Sequence, residues 1–216
     1  MSIGYRRREY RYGTLTRESL KDCPFEQFQA WLDDALASPI KDPTAMTVAT
    51  LDEQGGPTQR AVLLKSFDQQ GFVFYTNLGG HKAEQIKNNA RASLHFPWFL
   101  LDRQVSVSGS AELVSRQDVE NYFADRPRES QLAAWASRQS SPIASREELE
   151  AAFTYYQQKF DGGDVPLPDF WGGFRVVPEK FEFWQGGEMR LHDRFQYLPD
   201  ASGDKASGWT ITRLAP

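Results

Sequence analysis

Several stretches of this sequence group side chains that can bind or move charge, and each has a plainer explanation beside the chemical one. The densest is Phe183-Trp184-Gln185-Gly186-Gly187-Glu188-Met189-Arg190-Leu191-His192-Asp193-Arg194-Phe195. Read as a strand from Arg190 onward, it sets Arg190, His192 and Arg194 on one face in steps of roughly 7 Å. Cationic or protonatable groups in such a row repel one another unless something negative or electron-rich lies above them. The plain alternative is a solvated outer face balanced by Glu182 and Asp193; the neighbouring aromatics and the Gly-Gly turn favour a site. Arg60 and Lys65 flank Ala61-Val62-Leu63-Leu64, and their odd separation puts them on opposite faces of a strand. They then serve two anions, or one snorkels to water. Tyr75-Thr76-Asn77 ends a strand, and Gly79-Gly80-His81-Lys82 opens a helix whose free N–H groups and lysine can cradle a phosphate, although most helix starts hold none. Tyr122 and Arg126 share a helix face. With Arg128 and Ser130 around the helix-ending Pro127 they can grip a second phosphate, unless Arg126 merely pairs with Asp125 or Glu129.

Other chemistries find little support. His81, His95 and His192 are far apart and show no zinc spacing. There is no G-x-S-x-G elbow, Walker loop or dinucleotide glycine fingerprint. The single cysteine, Cys23, excludes an internal disulfide and fits a reducing, cytoplasmic location. Net charge is −4, from 25 Lys and Arg against 29 Asp and Glu, so bulk attraction to nucleic acid or anionic membrane is not expected and any anion site must be a local cluster. No apolar run approaches a membrane span, and the N-terminus lacks the apolar region of a secretory signal.

The elements that must position these groups are mostly strands. Residues 1–20 read as a polar, arginine-rich arm, mobile unless a ligand holds it. Phe25, Phe28, Trp31, Leu32, Ala35 and Leu36 have helical spacing, with Asp22 as N-cap and Pro39 as the stop. Thr44–Leu51, Thr58–Ser66, Phe72–Asn77 and Ala92–Phe96 read as strands, and Gln104–Val114 alternates clearly. Helices follow over Ser115–Asp125, Ser130–Ser137 and Arg146–Phe160, the last opened by a Ser145/Glu148 capping box. Strands return at Phe174–Val177, Lys180–Trp184, Arg190–Tyr197 and Trp209–Arg213. Strands on both sides of a helical insertion, with few crossover helices, predict a mainly β chain with helices (α+β): an antiparallel barrel with peripheral helices. At 216 residues with 40% hydrophobic and 13% aromatic content, the chain is expected to form one main domain, 21–216, behind the arm.

Taken together, these residues resemble the pyridoxine (pyridoxamine) 5′-phosphate oxidase family from about Arg7 to Pro216. The resemblance is carried by Arg60-Ala61-Val62-Leu63-Leu64-Lys65, Phe74-Tyr75-Thr76-Asn77, Arg126-Pro127-Arg128, Phe170-Trp171-Gly172-Gly173-Phe174-Arg175, Phe183-Trp184-Gln185-Gly186-Gly187, Arg190-Leu191-His192-Asp193-Arg194-Phe195 and Arg213-Leu214-Ala215-Pro216. It implies an FMN-binding split β-barrel, a homodimer with FMN at the subunit interface, and oxidation of pyridoxamine or pyridoxine 5′-phosphate to pyridoxal 5′-phosphate by O2, with H2O2 as product. It further implies FMN contacts from Arg60, Val62, Leu63, Lys65, Tyr75, Thr76, Lys82, Gln104, Gln139, Ser140, Trp184 and Arg194. His81 stands where relatives often carry arginine at the FMN phosphate. By the same resemblance Lys65, Tyr122, Arg126 and Ser130 hold the substrate phosphate, Arg190 and His192 are catalytic at the substrate ring, and Arg7 and Tyr10 belong to a segment that can close over the site. A different FMN enzyme on the same barrel, a non-catalytic pyridoxal phosphate carrier and an arginine-tail nucleic-acid binder are the competing readings, the last disfavoured by the net charge.

Overall fold

The alternating stretch 104–114 becomes the spine of the molecule. In the computed structural model, which describes residues 9–200 and 208–216, it forms strand β6 (Arg103–Leu113), with Val105, Val107, Gly109 and Ala111 turned into the core. β6 runs antiparallel to β7 (Trp171–Gln185) on one side and β5 (Arg91–Trp98) on the other. β1 (Ala45–Leu51) and β2 (Pro57–Leu63) extend the sheet beyond β5. β7 is long enough to carry two partners on its far edge. Its first part, Trp171–Val176, pairs with β4 (Gly71–Asn77), which carries the short β3 (Ser66–Asp68). Its last part, Phe181–Gln185, pairs with β8 (Asp193–Pro199), followed by β9 (Trp209–Leu214). All pairs are antiparallel, and the divided edge of β7 curls the sheet into an incomplete barrel.

Helix α1 (Pro24–Ala37) packs its apolar stripe into that curl. Phe28 is fully buried, with ring centroids 4.8–4.9 Å from Phe67, Phe72 and Phe96 in edge-to-face contact. Burying a side chain of this size contributes about 2–3 kcal/mol. The helix N-cap is Cys23, with Pro24 at the first helical position where its missing N–H costs nothing; Asp22, the expected cap, instead pairs with Arg17 at 2.8 Å. Helices α2 (His81–Asn88), α3 (Arg116–Ala124), α4 (Arg128–Ala136) and α5 (Arg146–Lys159) lie outside the sheet. The last three enclose a second apolar cluster of Phe123, Leu132, Ala134 and Val165.

Several expectations are corrected. Ser145 is the N-cap of α5, but its side chain makes no cap bond; Glu148 accepts from the Ala144 N–H at 2.9 Å, one residue too early for a capping box. The two strands expected around Pro178 are one. A bulge at Ser108/Gly109 absorbs the proline, and Gly109 has no room for a side chain, since a Cβ would lie 2.0 Å from the Val177 carbonyl oxygen. The strand expected from Arg190 begins at Asp193. Met189 and Arg190 take left-handed backbone angles (φ 52° and 65°) in a short 3-10 turn, so Arg190, His192 and Arg194 do not form a strand row. Of the arm, residues from Glu9 onward are described, and Leu15 and Leu20 are buried members of the main core.

Candidate active site

Between β2, β4, α3 and α4 lies a cavity of about 420 Å³ lined by Ala61, Val62, Leu63, Lys65, Tyr75, Thr76, Lys82, Tyr122, Arg126, Ser130, Gln139 and Trp171. Strand alternation supplies Val62 from β2 and Thr76 from β4. The start of α2 supplies Lys82, which is 9% exposed and donates to Thr76 Oγ1 at 3.0 Å and Gln139 Oε1 at 2.5 Å. Burial, and then the charge of nearby Arg60, hold the Lys82 ammonium below its ordinary pKa. Arg60 lies just behind. Its guanidinium donates to Thr50 Oγ1 (2.5 Å), Thr58 Oγ1 (2.8 Å) and Gln85 Oε1 (3.1 Å), and burial lowers its pKa. Lys65 lies beyond the end of β2, so strand alternation does not reach it; it is at the cavity wall, and Arg60 is not among the lining residues.

At the other wall, Tyr75 stacks on Tyr122 with centroids 3.8 Å apart and planes 6° from parallel; burial is the main cause that raises the Tyr75 phenol pKa. Arg126 lies over the Trp171 ring at 4.3 Å, and its Nη1 is buried without a hydrogen-bond partner. Burial lowers its pKa as well. Among the described residues no carboxylate pairs with Arg60, Lys65, Lys82 or Arg126. Converging cations without counter-charges are costly unless an anionic ligand completes them. The start of α2 closes this side: the Gly80 N-cap faces Gln139, whose Oε1 would be 2.6 Å from any Cβ there, and the His81 N–H donates to Ser140 Oγ at 3.3 Å. His81 itself is exposed.

The remaining candidates assemble elsewhere. Gln104, Trp184 and Arg194 are cross-strand neighbours on β6, β7 and β8. The His192 ring lies 4.7 Å from Trp184, and Tyr10 meets both edge-on at 5.7 Å (Trp184) and 5.3 Å (His192). His192 Nδ1 accepts the Gly187 N–H at 3.1 Å, which assigns the proton of the neutral ring to Nε2. Arg194 is held by Glu182 at 2.9 Å, whose hydrogen bond raises its pKa, and by the Ala215 carbonyl. Arg190 is exposed in its turn. Tyr75 pairs with Gly173, and Trp184 sits eleven residues further along β7, so roughly 35 Å of strand separates this corner from the cavity. Arg7 lies outside the described residues. Arg128, expected beside Arg126 at the second phosphate, instead donates to the Phe160 and Gly163 carbonyls.

Sequence reasoning did not single out Trp171 beneath Arg126, nor the Thr50, Thr58 and Gln85 oxygens that hold Arg60. The Thr50–Thr58 pairing exists only in the β1–β2 register, so spacing along the chain does not reveal it.

Comparison with known proteins identifies the family and the fold. Residues 32–160 match the family model described as pyridoxamine 5′-phosphate oxidase, and residues 171–216 match the pyridoxine 5′-phosphate oxidase C-terminal dimerisation region. The chain is 56% identical over 214 residues to the pyridoxine/pyridoxamine 5′-phosphate oxidase of Cronobacter sakazakii, covering 99% of this chain and 96% of the relative. It is 53% identical over 216 residues to that of Vibrio vulnificus, covering all of both. Among solved structures, PhzG from Burkholderia lata, in complex with tetrahydrophenazine-1-carboxylic acid, matches with a TM-score of 0.85 at 25% identity, over 94% of this chain and 98% of that one. A pyridoxamine 5′-phosphate oxidase-related, FMN-binding protein from Nostoc punctiforme shares the fold, with a TM-score of 0.71 at 15% identity over 91% of this chain and all of that one. The incomplete barrel is therefore the split β-barrel that the sequence resemblance implies. With both regions of the family matched and more than half of all residues identical from end to end, the chain belongs to the pyridoxamine 5′-phosphate oxidase family.

Proposed function

We propose that the protein oxidises pyridoxamine or pyridoxine 5′-phosphate to pyridoxal 5′-phosphate, using FMN and O2 and releasing H2O2, as a homodimer in the cytoplasm. The observation that carries this reading is the group of cations without carboxylate partners around a cavity of about 420 Å³, in a chain 53–56% identical throughout to oxidases of that name. FMN and the substrate bring one phosphate each, and the residues fit such ligands. A buried lysine has no carboxylate, a buried guanidinium nitrogen has no partner, and the Gly80 turn lies close against Gln139.

Arg60, His81, Lys82, Gln139 and Ser140 would hold the FMN phosphate and its approach, with Val62, Leu63, Lys65, Tyr75 and Thr76 along the rest of the molecule. Lys65, Tyr122, Arg126 and Ser130 would hold the substrate phosphate: two fixed charges for the dianion and two hydroxyls to orient it. Gln104, Trp184, Arg190, His192 and Arg194 would complete the cavity of the other subunit, because roughly 35 Å of strand keeps them from their own. When bound, FMN supplies the two-electron acceptor for the carbon being oxidised and passes the electrons to O2. His192, with the proton on Nε2, would donate a hydrogen bond to the substrate rather than accept its proton at Nδ1. Arg190 would stabilise negative charge at the ring. In this reading residues 21–216 form one FMN-binding domain and 1–20 an arm over its site.

The test is the absorbance spectrum of the purified protein, followed by pyridoxamine 5′-phosphate in a closed oxygen cell. Flavin bands with oxygen uptake and pyridoxal 5′-phosphate formation are expected. A flavin-loaded protein that consumes no oxygen with either phosphate ester would overturn the assignment, and a colourless protein that binds pyridoxal phosphate without turnover would make it a carrier.

A further inference from the structure

The turn between β5 and β6 holds more than the two strands. Its Asp102 has left-handed backbone angles (φ 52°) and is 7% exposed. Asp102 Oδ2 accepts the main-chain N–H of Arg11 at 3.1 Å and of Tyr12 at 3.4 Å. Its carbonyl oxygen accepts the Gly186 N–H at 2.7 Å and a Gln185 side-chain N–H at 3.2 Å. One residue thereby ties residues 11–12 to the glycine turn that leads into His192. Tyr10, next in line, packs so closely on Gly186 that a Cβ there would lie 2.7 Å from its ring, and the same ring meets Trp184 and His192 edge-on. A further tie of this segment, Arg11 to Glu188 at 3.7 Å, joins two exposed side chains and contributes little, and the Arg103 guanidinium lies over the Tyr12 ring at 5.4 Å.

We propose that Asp102 is a positioning residue for substrate binding: its buried carboxylate clamps residues 10–12 so that the Tyr10 ring walls the Trp184–His192 corner and holds the His192 ring in orientation. The carboxylate supplies a charge-assisted acceptor to two main-chain donors at once, which an exposed loop contact with water cannot match. The clamp's effect on substrate binding rests on the reading of His192 as a substrate contact.

Two substitutions separate the clamp from the turn. Asp102→Gly removes the acceptor while suiting the left-handed backbone, and Asp102→Asn keeps an acceptor oxygen in the same shape. In the FMN-loaded full chain, Asp102→Gly is expected to raise KM for pyridoxamine 5′-phosphate roughly five- to tenfold with kcat within about twofold, and Asp102→Asn to restore most of the loss. Tryptic cleavage after Arg11, located by mass spectrometry without substrate, should accelerate by a similar factor in the glycine variant. With Tyr10→Ala already in place, Asp102→Gly should change KM by less than about twofold, because the wall it holds is gone. Equal KM effects in both backgrounds, or an unchanged cleavage rate at Arg11, would overturn the proposal. If the wild-type chain shows no turnover, the reading of the site fails while the cleavage rates still decide the clamp. Should the glycine variant not fold, Asp102→Ser, whose hydroxyl is too short to reach both amides, takes its place in every arm.

Discussion

Lys82 shows at a single residue how a ligand site is built at the expense of the empty protein. Its ammonium is buried beside Arg60 and meets only a hydroxyl and an amide oxygen. Its folded-state pKa lies below the ordinary lysine value of 10.5, so at alkaline pH the unfolded chain binds more protons than the folded one. Stability contributed by this group therefore rises with pH through the window below 10.5, and at neutral pH the charged lysine costs the cofactor-free fold. Lys82→Met should stabilise the cofactor-free protein by about 1 kcal/mol near neutral pH, with the gap to wild type closing towards alkaline pH. The same change should weaken FMN binding by about tenfold or more, since it removes a cation from the phosphate's place. Denaturant unfolding of the stripped protein across pH, beside an FMN titration, checks both. A destabilised variant at neutral pH would mean that the two hydrogen bonds outweigh the buried charge.

At the scale of elements, the β6–β7 pairing sets where everything else sits, and its weak point is Gly109. A methyl group there would press on the Val177 carbonyl in the backbone of β7, which β6 pairs at Ser110. Gly109→Ala should cost about 2–4 kcal/mol and lower the melting temperature of the FMN-free protein, while Ser108→Ala next to it stays within about 1 kcal/mol. Equal melting temperatures for the two would show that the bulge relaxes freely. The same pairing explains what could be read from sequence. The alternation from Val105 to Ala111 and the helical stripe from Phe25 to Ala35 are local periodicities and are buried as read, whereas Leu36, read into the same stripe, is exposed. Pro178 looks like a break because its accommodation depends on the register against β6, a strand some seventy residues earlier, where Glu179 is left as the extra residue of the bulge. Arg190 looked like a strand residue because alternation cannot foresee two consecutive left-handed residues at Met189 and Arg190. Arg60, Lys65, Lys82 and Arg126 are visible in the sequence as separate basic points, but only non-local packing brings Lys65, Lys82 and Arg126 to one cavity, with Arg60 near Lys82. Trp171, which floors Arg126, stands in one of the motifs that carry the family resemblance, but nothing in its position along the chain ties it to Arg126.

At the scale of the whole molecule, the separation of the two clusters has a consequence that neither cluster has alone. Arg126 belongs to the cavity, and His192 to the corner at the other end of β7. If each working site joins the cavity of one subunit to the corner of the other, a two-fold dimer carries two such sites, each drawing on both chains. Arg126→Ala should then inactivate one half of every site and His192→Ala the other half, each abolishing most turnover in its own homodimer. In a mixed dimer, one site collects both defects and the other collects neither. Random mixing of equal amounts makes about half of the dimers mixed, each with one intact site of two, so about a quarter of wild-type activity should return. Co-expression with two affinity tags isolates the mixed species directly, and it should reach about half of the wild-type rate per dimer. If cavity and corner instead served the same chain's site, every site in the mixed dimer would carry one defect and no activity would return. The measurement needs no ligand-bound structure, and it separates the two arrangements by whether activity returns at all.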